Sequence, residues 1–441
     1  MSAPGPDWPA TDAAGVLGDG RFATRTERPA TAAQVGAAVR AAAADGLAVY
    51  PQGGGTALDF GGIPTRPGVS VRLGRLDRVV DYAVDDMTIT VEAGITLAAV
   101  RDLVAQHGQR LAIEAGDPEC ATLGGIFAAA CTGPRRFGWG RPRDQIIGVA
   151  FVDAAGEVVR GGGRVVKNVA GYDFPKLLTG SLGTLGIITE LTLKVNPRPE
   201  SSAWVRVHLP SLDAASAALD RLNISGTRPI ALELTGPSTA TNLGPGSRTL
   251  VIGLEGNRAA VDWQVARLAS ELPGHDREVL RDDEAERAWL DEVAEEAAWT
   301  TPGRIEEFAR RVGVAPEVAD RSRLGVFGLR ASFAPSVALR FAATLDPGLW
   351  DVRVHAGDGV VRAYSAGGLA TVSEAETAVN RLRAEADRLG GSVVLTACRA
   401  EWKERLGVWG PRRPDWTIAE RVKAALDPGC VFNPGRFVGS I

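Results

Sequence analysis

Three consecutive glycines, Gly53 to Gly55, followed by Thr56 and then by Gly61 and Gly62, make the stretch of this chain best suited to holding a ligand. Glycine accepts positive φ at no steric cost, so successive N–H groups can turn toward one point. A concave array of backbone donors is an anion nest, suited to a phosphate or pyrophosphate. In that role Gly53, Gly54 and Gly55 supply amides, Thr56 a hydroxyl, and Gly61 and Gly62 a second close approach. An ordinary strand-to-loop turn accounts for these residues equally well. Two common phosphate motifs are excluded: no Gly-Lys-Ser/Thr occurs, and Gly55 is followed by Thr-Ala-Leu-Asp-Phe-Gly-Gly rather than by a G-x-G-x-x-G turn opening a helix.

Other reactive side chains are scarce. The four cysteines, Cys120, Cys131, Cys398 and Cys430, form no C-x-x-C pair, so the chain carries no zinc or iron–sulfur signature. The four histidines, His107, His208, His275 and His355, limit the acid–base chemistry available. With 441 residues, 45% hydrophobic and 23% charged, the chain is long enough for two or three domains. A net charge of -4 from interspersed signs argues against a nucleic-acid surface. No apolar run reaches the roughly eighteen residues of a membrane span and no basic leader opens the sequence, so a cytoplasmic protein without direct membrane insertion is expected.

The elements that must position the glycine loop are legible around it. Leu47 to Val49 reads as a short buried strand leading into it, and Thr31 to Asp45 as the preceding Ala-rich helix, capped by Gly46. Val69 to Leu73 and Thr88 to Glu92 read as strands, and Thr96 to His107 as an amphipathic helix. Ile147 to Val152, Glu157 to Arg160 and Gly186 to Val195 read as further strands, with a helical turn at Phe174 to Leu178. Beyond Pro197-Arg198-Pro199, residues 203–280 read strand, helix, strand, strand, helix, strand, and residues 323–396 repeat that order around the acidic helix Asp282 to Trp299. The tail Asp427 to Phe437, with two Pro-Gly turns, is expected to pack back against the body.

Five motifs in register, PQGGGT (51–56), DPECATLGG (117–125), GPRRFGWGRPRDQIIG (133–148), VVKNVAGYDFPKLLTGSLGTLGIITE (165–190) and DPGCVFNPGR (427–436), resemble the flavoproteins of the vanillyl-alcohol oxidase / p-cresol methylhydroxylase (PCMH) superfamily. Within it the chain resembles the FAD-binding E subunit of bacterial glycolate oxidase, and that likeness extends into the tail. The resemblance implies an α+β fold: a two-part PCMH-type FAD-binding domain over residues 28–200 and an α+β cap over 201–400 built from two ferredoxin-like split βαβ units. Residues 1–27 are then a loose leader and 401–441 a segment returning to the FAD domain.

Carried over residue by residue, the resemblance implies that Gly53, Gly54, Gly55 and Thr56 cradle the FAD pyrophosphate. Asp117, Thr122, Gly124 and Gly125 form a second backbone cradle, and Gly133 closes the small-residue run against the ring and ribityl chain. Ile187 and Ile188 offer backbone groups near the adenine, and Asn433 lies near the flavin or closes its pocket. Members that attach FAD covalently use a histidine in the first glycine loop; Thr56 stands there with no histidine, so noncovalent FAD is expected, and Cys120 is read as a buried small thiol.

Catalytic relatives carry H-x-G-D-G-N-L-H and later G-E-H-G, which hold a divalent metal and the hydroxy acid. Here the first motif reads His355-Ala356-Gly357-Asp358-Gly359-Val360-Val361-Arg362, and the glutamate and histidine of the second fall near Thr396 and Ala397. Arginine cannot ligate a metal, so no metal is expected, and His355 is read as a structural residue. Arg362 and Tyr364 are the candidates for holding a substrate carboxylate, with a surface or subunit-contact role as the alternative. The implied function is the FAD-binding subunit of a glycolate-oxidase-like 2-hydroxyacid dehydrogenase, working with a catalytic flavoprotein subunit and an iron–sulfur subunit on a small hydroxy acid. The alternatives are a self-sufficient FAD-dependent oxidoreductase and a noncatalytic FAD-holding assembly subunit.

Overall fold

The computed structural model describes residues 15–163, 171–236, 246–298, 327–365 and 369–441, and every element below belongs to these. The part of the proposed leader up to residue 14, Val165 to Ala170 of the fourth motif, Leu324 to Val326 of the strand read over Leu324 to Ser332, and the end of the acidic helix at Trp299 lie outside them. The chain divides into two compact units: residues 1–132, 141–198 and 407–441 form the first, and residues 133–140 and 199–406 the second. Among the described residues no helix is long and apolar enough to cross a membrane.

The first unit opens with β1 (Val16–Gly18), β2 (Arg21–Phe22) and β3 (Arg25–Glu27). Residues 15–27 were expected to be loose; they are instead built into the fold, because Leu17 and Ala23 are buried beside Ala48 and Tyr50. Helix α1 (Ala32–Ala44) starts at Thr31, whose side chain accepts from the Gln34 N–H, and buries Val35, Val39 and Ala42. It leads to β4 (Ala48–Gln52), and β5 (Gly68–Arg72) pairs in parallel with both β3 and β4. The glycine loop is therefore the connection between two parallel neighbours.

β6 (Val79–Ala83), β7 (Thr88–Glu92), α2 (Leu97–Ala105), β8 (Gln109–Arg110), α3 (Leu123–Ala129), α4 (Arg136–Trp139), α5 (Pro142–Gln145), β9 (Ile146–Val152), β10 (Val158–Gly162), α6 (Phe174–Leu178), β11 (Ile187–Lys194) and β12 (Asn196–Pro197) follow. An antiparallel sheet in the order β10-β9-β11-β7-β6 is covered by α2, which turns Leu97, Val100 and Val104 inward, and by α3, which buries Ile126 and Phe127. Period-two alternation along β11 sends Ile188 into this core and Ile187 into the core under α1.

The second unit contains β13 (Ser201–Leu209), α7 (Leu212–Asn223), β14 (Ala231–Thr235), β15 (Arg248–Gly256), α8 (Arg258–Glu271), β16 (Arg277–Arg281), α9 (Asp282–Ala298), β17 (Phe327–Ser332), α10 (Pro335–Ala342), β18 (Asp351–His355), β19 (Val360–Ser365), α11 (Val372–Arg388), β20 (Ser392–Ala397) and α12 (Ala400–Leu406). The two repeats join into one sheet, β16-β13-β15-β14-β18-β19-β17-β20, in which each half has the order fourth-first-third-second and the second strands meet. Along α9, Ala285, Trp289 and Val293 cover Trp204, Ala231 and Val251, with the two indoles edge to face at 4.0 Å.

Residues 133–140, read from sequence as part of the FAD-binding domain, group with the second unit. Arg135 is buried there: its guanidinium bonds both Glu286 oxygens at 2.8 and 3.2 Å, lies 3.5 Å from Glu255, and stacks on Trp139. A fork of this kind needs planar, bidentate partners, which fixes arginine at the position. The tail, with α13 (Trp416–Leu426), belongs to the first unit.

Candidate functional site

The first glycine loop leaves β4 and meets the 117–125 segment at once. A Cβ on Gly53 would lie 2.0 Å from the Thr122 hydroxyl, and one on Gly54 would lie 1.6 Å from the Cys120 carbonyl oxygen. Neither position admits a side chain. Gly55 has room around it, but its φ of 79° is left-handed, so conformation excludes a side chain there. Among the described residues the backbone N–H groups of Gly53, Gly54, Gly55 and Thr56 donate to no protein acceptor, and Gly54, Gly55 and Thr56 are exposed. Four successive uncommitted amides on a loop that rejects side chains fit an incoming diphosphate.

The second cradle differs in detail from the expectation. Gly124 donates its N–H to the Ala93 carbonyl at 2.8 Å, and Gly125 donates to the Thr122 hydroxyl at 3.3 Å as part of the α3 cap. Both amides already serve the fold rather than standing as donors, and Gly124 is buried against Ala93, from whose Cβ one on Gly124 would lie 2.7 Å, whereas Gly125 is exposed. Asp117 is exposed, and its carboxylate accepts from the Cys120 N–H at 3.2 Å while its carbonyl accepts from Ala121 at 2.7 Å, so it shapes the turn. A separate hydrogen bond between the Cys120 thiol and the Asp117 carboxylate, with that carboxylate's charge, pushes the thiol pKa up, and Cys120 is exposed rather than buried as expected.

Ile187 and Ile188 have fully buried side chains, which leaves only their backbone for a ligand. Asn433 adopts a left-handed φ of 41° and ties the tail to two parts of the site: its side-chain amide donates to the Leu182 carbonyl at 2.6 Å, and its N–H to that of Val49 at 3.0 Å. Val49 in turn donates to Val431, a one-residue parallel bridge beside β4. Gly61 and Gly62, read from sequence as a second approach to the ligand, are instead filled by the tail. Cβ atoms there would lie 2.5 Å from the Arg436 oxygen and 2.2 Å from the Gly435 oxygen.

Sequence reasoning missed the side chains that hold this tail. Lys423 is buried and donates to Asp427 at 2.6 Å and to the Thr184 and Phe432 carbonyls, while the Asp427 carboxylate accepts from the Val431 and Phe432 amides at 2.8 Å. The spacing Lys423-x-x-x-Asp427 at the end of a helix, just before Pro-Gly, was the available signal.

Gly133, Arg362 and Tyr364 belong to the second unit. Arg362 and Tyr364 lie on one face of β19, and Arg362 sits directly between Arg353 of β18 and Arg330 of β17 in register. Arg353 is ion-paired to Glu292. Tyr364 is buried against Gly328. His355 is buried with its Nδ1 2.7 Å from the Glu233 carboxylate, and Asp358 lies 3.4 Å from Arg136. Both partners were unforeseen, although an isolated glutamate in the apolar alternation Ala231-Leu232-Glu233-Leu234 marks a buried acid. Among the described residues no group of three or more His, Cys, Asp or Glu side chains is arranged to hold a metal ion.

Residues 24–162 match the model of an FAD binding domain, and residues 198–396 that of the C-terminal domain of FAD linked oxidases. The mitochondrial D-lactate dehydrogenase [cytochrome] of Arabidopsis thaliana is 27% identical over 414 residues, 88% of this chain and 69% of that protein. Glycolate oxidase subunit GlcE of Escherichia coli is 39% identical over 153 residues, 34% of this chain and 44% of that protein. In fold, alkyldihydroxyacetonephosphate synthase superposes with a TM-score of 0.66 at 18% identity, covering 93% of this chain and 75% of that one. With both family models matched in sequence order, the chain belongs to the PCMH-type FAD-linked oxidases, and FAD is its cofactor.

Proposed function

We propose that this chain is the FAD-binding subunit of a glycolate-oxidase-like 2-hydroxyacid dehydrogenase, acting in the cytoplasm with a catalytic flavoprotein subunit and an iron–sulfur subunit. FAD held without a covalent bond supplies two-electron redox chemistry on a small hydroxy acid. The chain's own part is to bind the diphosphate through the Gly53–Thr56 amides, to approach the cofactor at the exposed Gly125, and to present backbone groups at Ile187 and Ile188. The observation that carries the reading is the row Arg353, Arg362, Arg330 on three adjacent strands. Where catalytic relatives place a metal-ligating histidine, this chain places a guanidinium flanked by two more. Opposed residues stand roughly 4.5–5.5 Å apart at Cβ, so a divalent cation is disfavoured there even with Arg353 ion-paired to Glu292. The 39% identity to GlcE over 153 residues supports the same reading.

One observation favours a self-sufficient oxidoreductase instead. A buried carboxylate that fixes an imidazole, as Glu233 fixes His355, is the arrangement of an oriented general base, and Arg362 with Tyr364 would then hold the acid. The two readings separate on purified protein under anaerobic conditions. The chain alone is expected to be yellow and to stay so with glycolate or D-lactate, and to bleach with one of them only when co-purified with its partner subunits. Stoichiometric bleaching of the isolated chain would establish the self-sufficient enzyme; a folded, colourless chain would leave an assembly role.

A further inference from the structure

We propose that Arg436, in the C-terminal tail, is a positioning residue for FAD: it fixes the far limb of the glycine loop so that the Gly53–Thr56 amides are presented as a preformed array. Its guanidinium is buried and faces acceptors from two other segments of the chain. One Nη donates to the Asp19 carboxylate at 2.9 Å and to the Gly62 carbonyl at 2.7 Å; the other donates to the Phe60 carbonyl at 2.8 Å and to that of Leu58. Three of the four acceptors are carbonyls of the 58–62 limb, which would otherwise stand without donors. The Arg436 main chain closes the same contact, since its carbonyl accepts the Gly62 N–H at 2.9 Å and the Trp409 indole N–H at 3.3 Å. Trp409 also meets Phe60 edge to face at 5.5 Å. Asp19 is fastened from its own side, its N–H donating to the Asp59 carboxylate at 2.9 Å.

The consequence is a loop with one rigid limb and one open limb. Residues 58–62 are saturated by the β1–β2 turn and the tail, whereas residues 53–56 keep their donors. Ordering a loop at the moment of binding costs affinity, and a limb already fixed removes part of that cost. Lysine cannot replace this arginine, because one ammonium lacks the planar fork that reaches both the carboxylate and three carbonyls.

The inference rests on the Gly53–Thr56 loop being the FAD cradle, and the test separates the two. Full-length protein is stripped of flavin and titrated with FAD by fluorescence quenching, with urea unfolding of the apoprotein in parallel. Arg436→Lys and the milder Asp19→Asn are expected to weaken FAD binding by roughly tenfold to a hundredfold, by analogy with the partners that orient metal ligands. Arg66→Gln is the control: the Arg66 guanidinium donates to the Gly429 and Cys430 carbonyls of the tail and to that of Gly46, and so holds the tail without bonding the 53–56 or 58–62 limb. It is expected to lower apoprotein stability and leave FAD affinity unchanged. Unchanged affinity in Arg436→Lys and Asp19→Asn, or equal weakening in Arg66→Gln, overturns the positioning role. If Gly55→Val binds FAD normally, the cradle reading itself fails; if Gly55→Val loses FAD and Asp19→Asn does not, only the role of Arg436 fails.

Discussion

Each glycine of the first loop answers a different physical demand, and the demand sets the response to substitution. Gly54 has a peptide carbonyl where its Cβ would stand, so Gly54→Ala must displace backbone, and about 1–3 kcal/mol of stability is expected to be lost through overpacking. Gly55 has space but a left-handed φ, and Gly55→Ala is expected to cost about 1–2 kcal/mol, the penalty of that region for an L-residue. Urea unfolding of the apoproteins checks both, and an unaffected Gly54→Ala would show that the two loops do not meet as described. Composition made the loop legible as a place where side chains are unwelcome. It could not say what stands opposite each glycine: Gly53 and Gly54 face the 120–122 turn, while Gly61 and Gly62 face a tail nearly four hundred residues later, an identity only the folded chain supplies.

At the scale of elements, alternation and caps carried most of the information. Thr31 and Thr96 cap the helices read after them, and the doubled strand–helix–strand–strand–helix–strand order is present in full among the described residues. What had no signature was the seam between the repeats. Strands β14 and β18 pair through main-chain bonds at Glu233, Leu234 and Thr235, and such bonds are indifferent to side-chain type. The start of α9 shows how a single acid joins elements. Asp282 accepts from the Ser201 hydroxyl at 2.8 Å and the Ser202 N–H at 3.0 Å, and Arg258 lies 3.3 Å from its other oxygen. The Ser202 and Ser201 hydrogen bonds, with the Arg258 charge, hold its pKa below the ordinary carboxylate value despite some desolvation. A depressed folded-state pKa gives stabilisation that is present above the unfolded value of about 3.9 and is lost as pH falls through the lower folded value. Asp282→Asn is therefore expected to destabilise the protein at neutral pH and to narrow the difference between its urea midpoints at neutral pH and about pH 3. Parallel curves for variant and parent would remove Asp282 from the acid response.

On the scale of the whole molecule, the family motifs report the cofactor but not which part of the chain its binding stabilises. The FAD contacts proposed above lie mostly in the first unit, and that unit is closed by the tail through Asn433, Arg436 and the Lys423–Asp427 pair. A ligand that binds only the folded state stabilises it by RT ln(1 + [L]/Kd), roughly 4 kcal/mol at free FAD near a thousand times Kd. Hydrogen exchange reads that gain locally, because amides that exchange only by opening the liganded unit slow by the same factor. Excess FAD is expected to slow β4, β5, β11 and residues 431–433 by up to about a thousandfold, while amides of β16 and β13, on the outer half of the second sheet, slow far less. The tail is the informative segment. A chain terminus frays by default, so protection at Val431 and Asn433 that rises with FAD ties the terminus to the cofactor site, and a tail that exchanges freely with FAD bound would detach it.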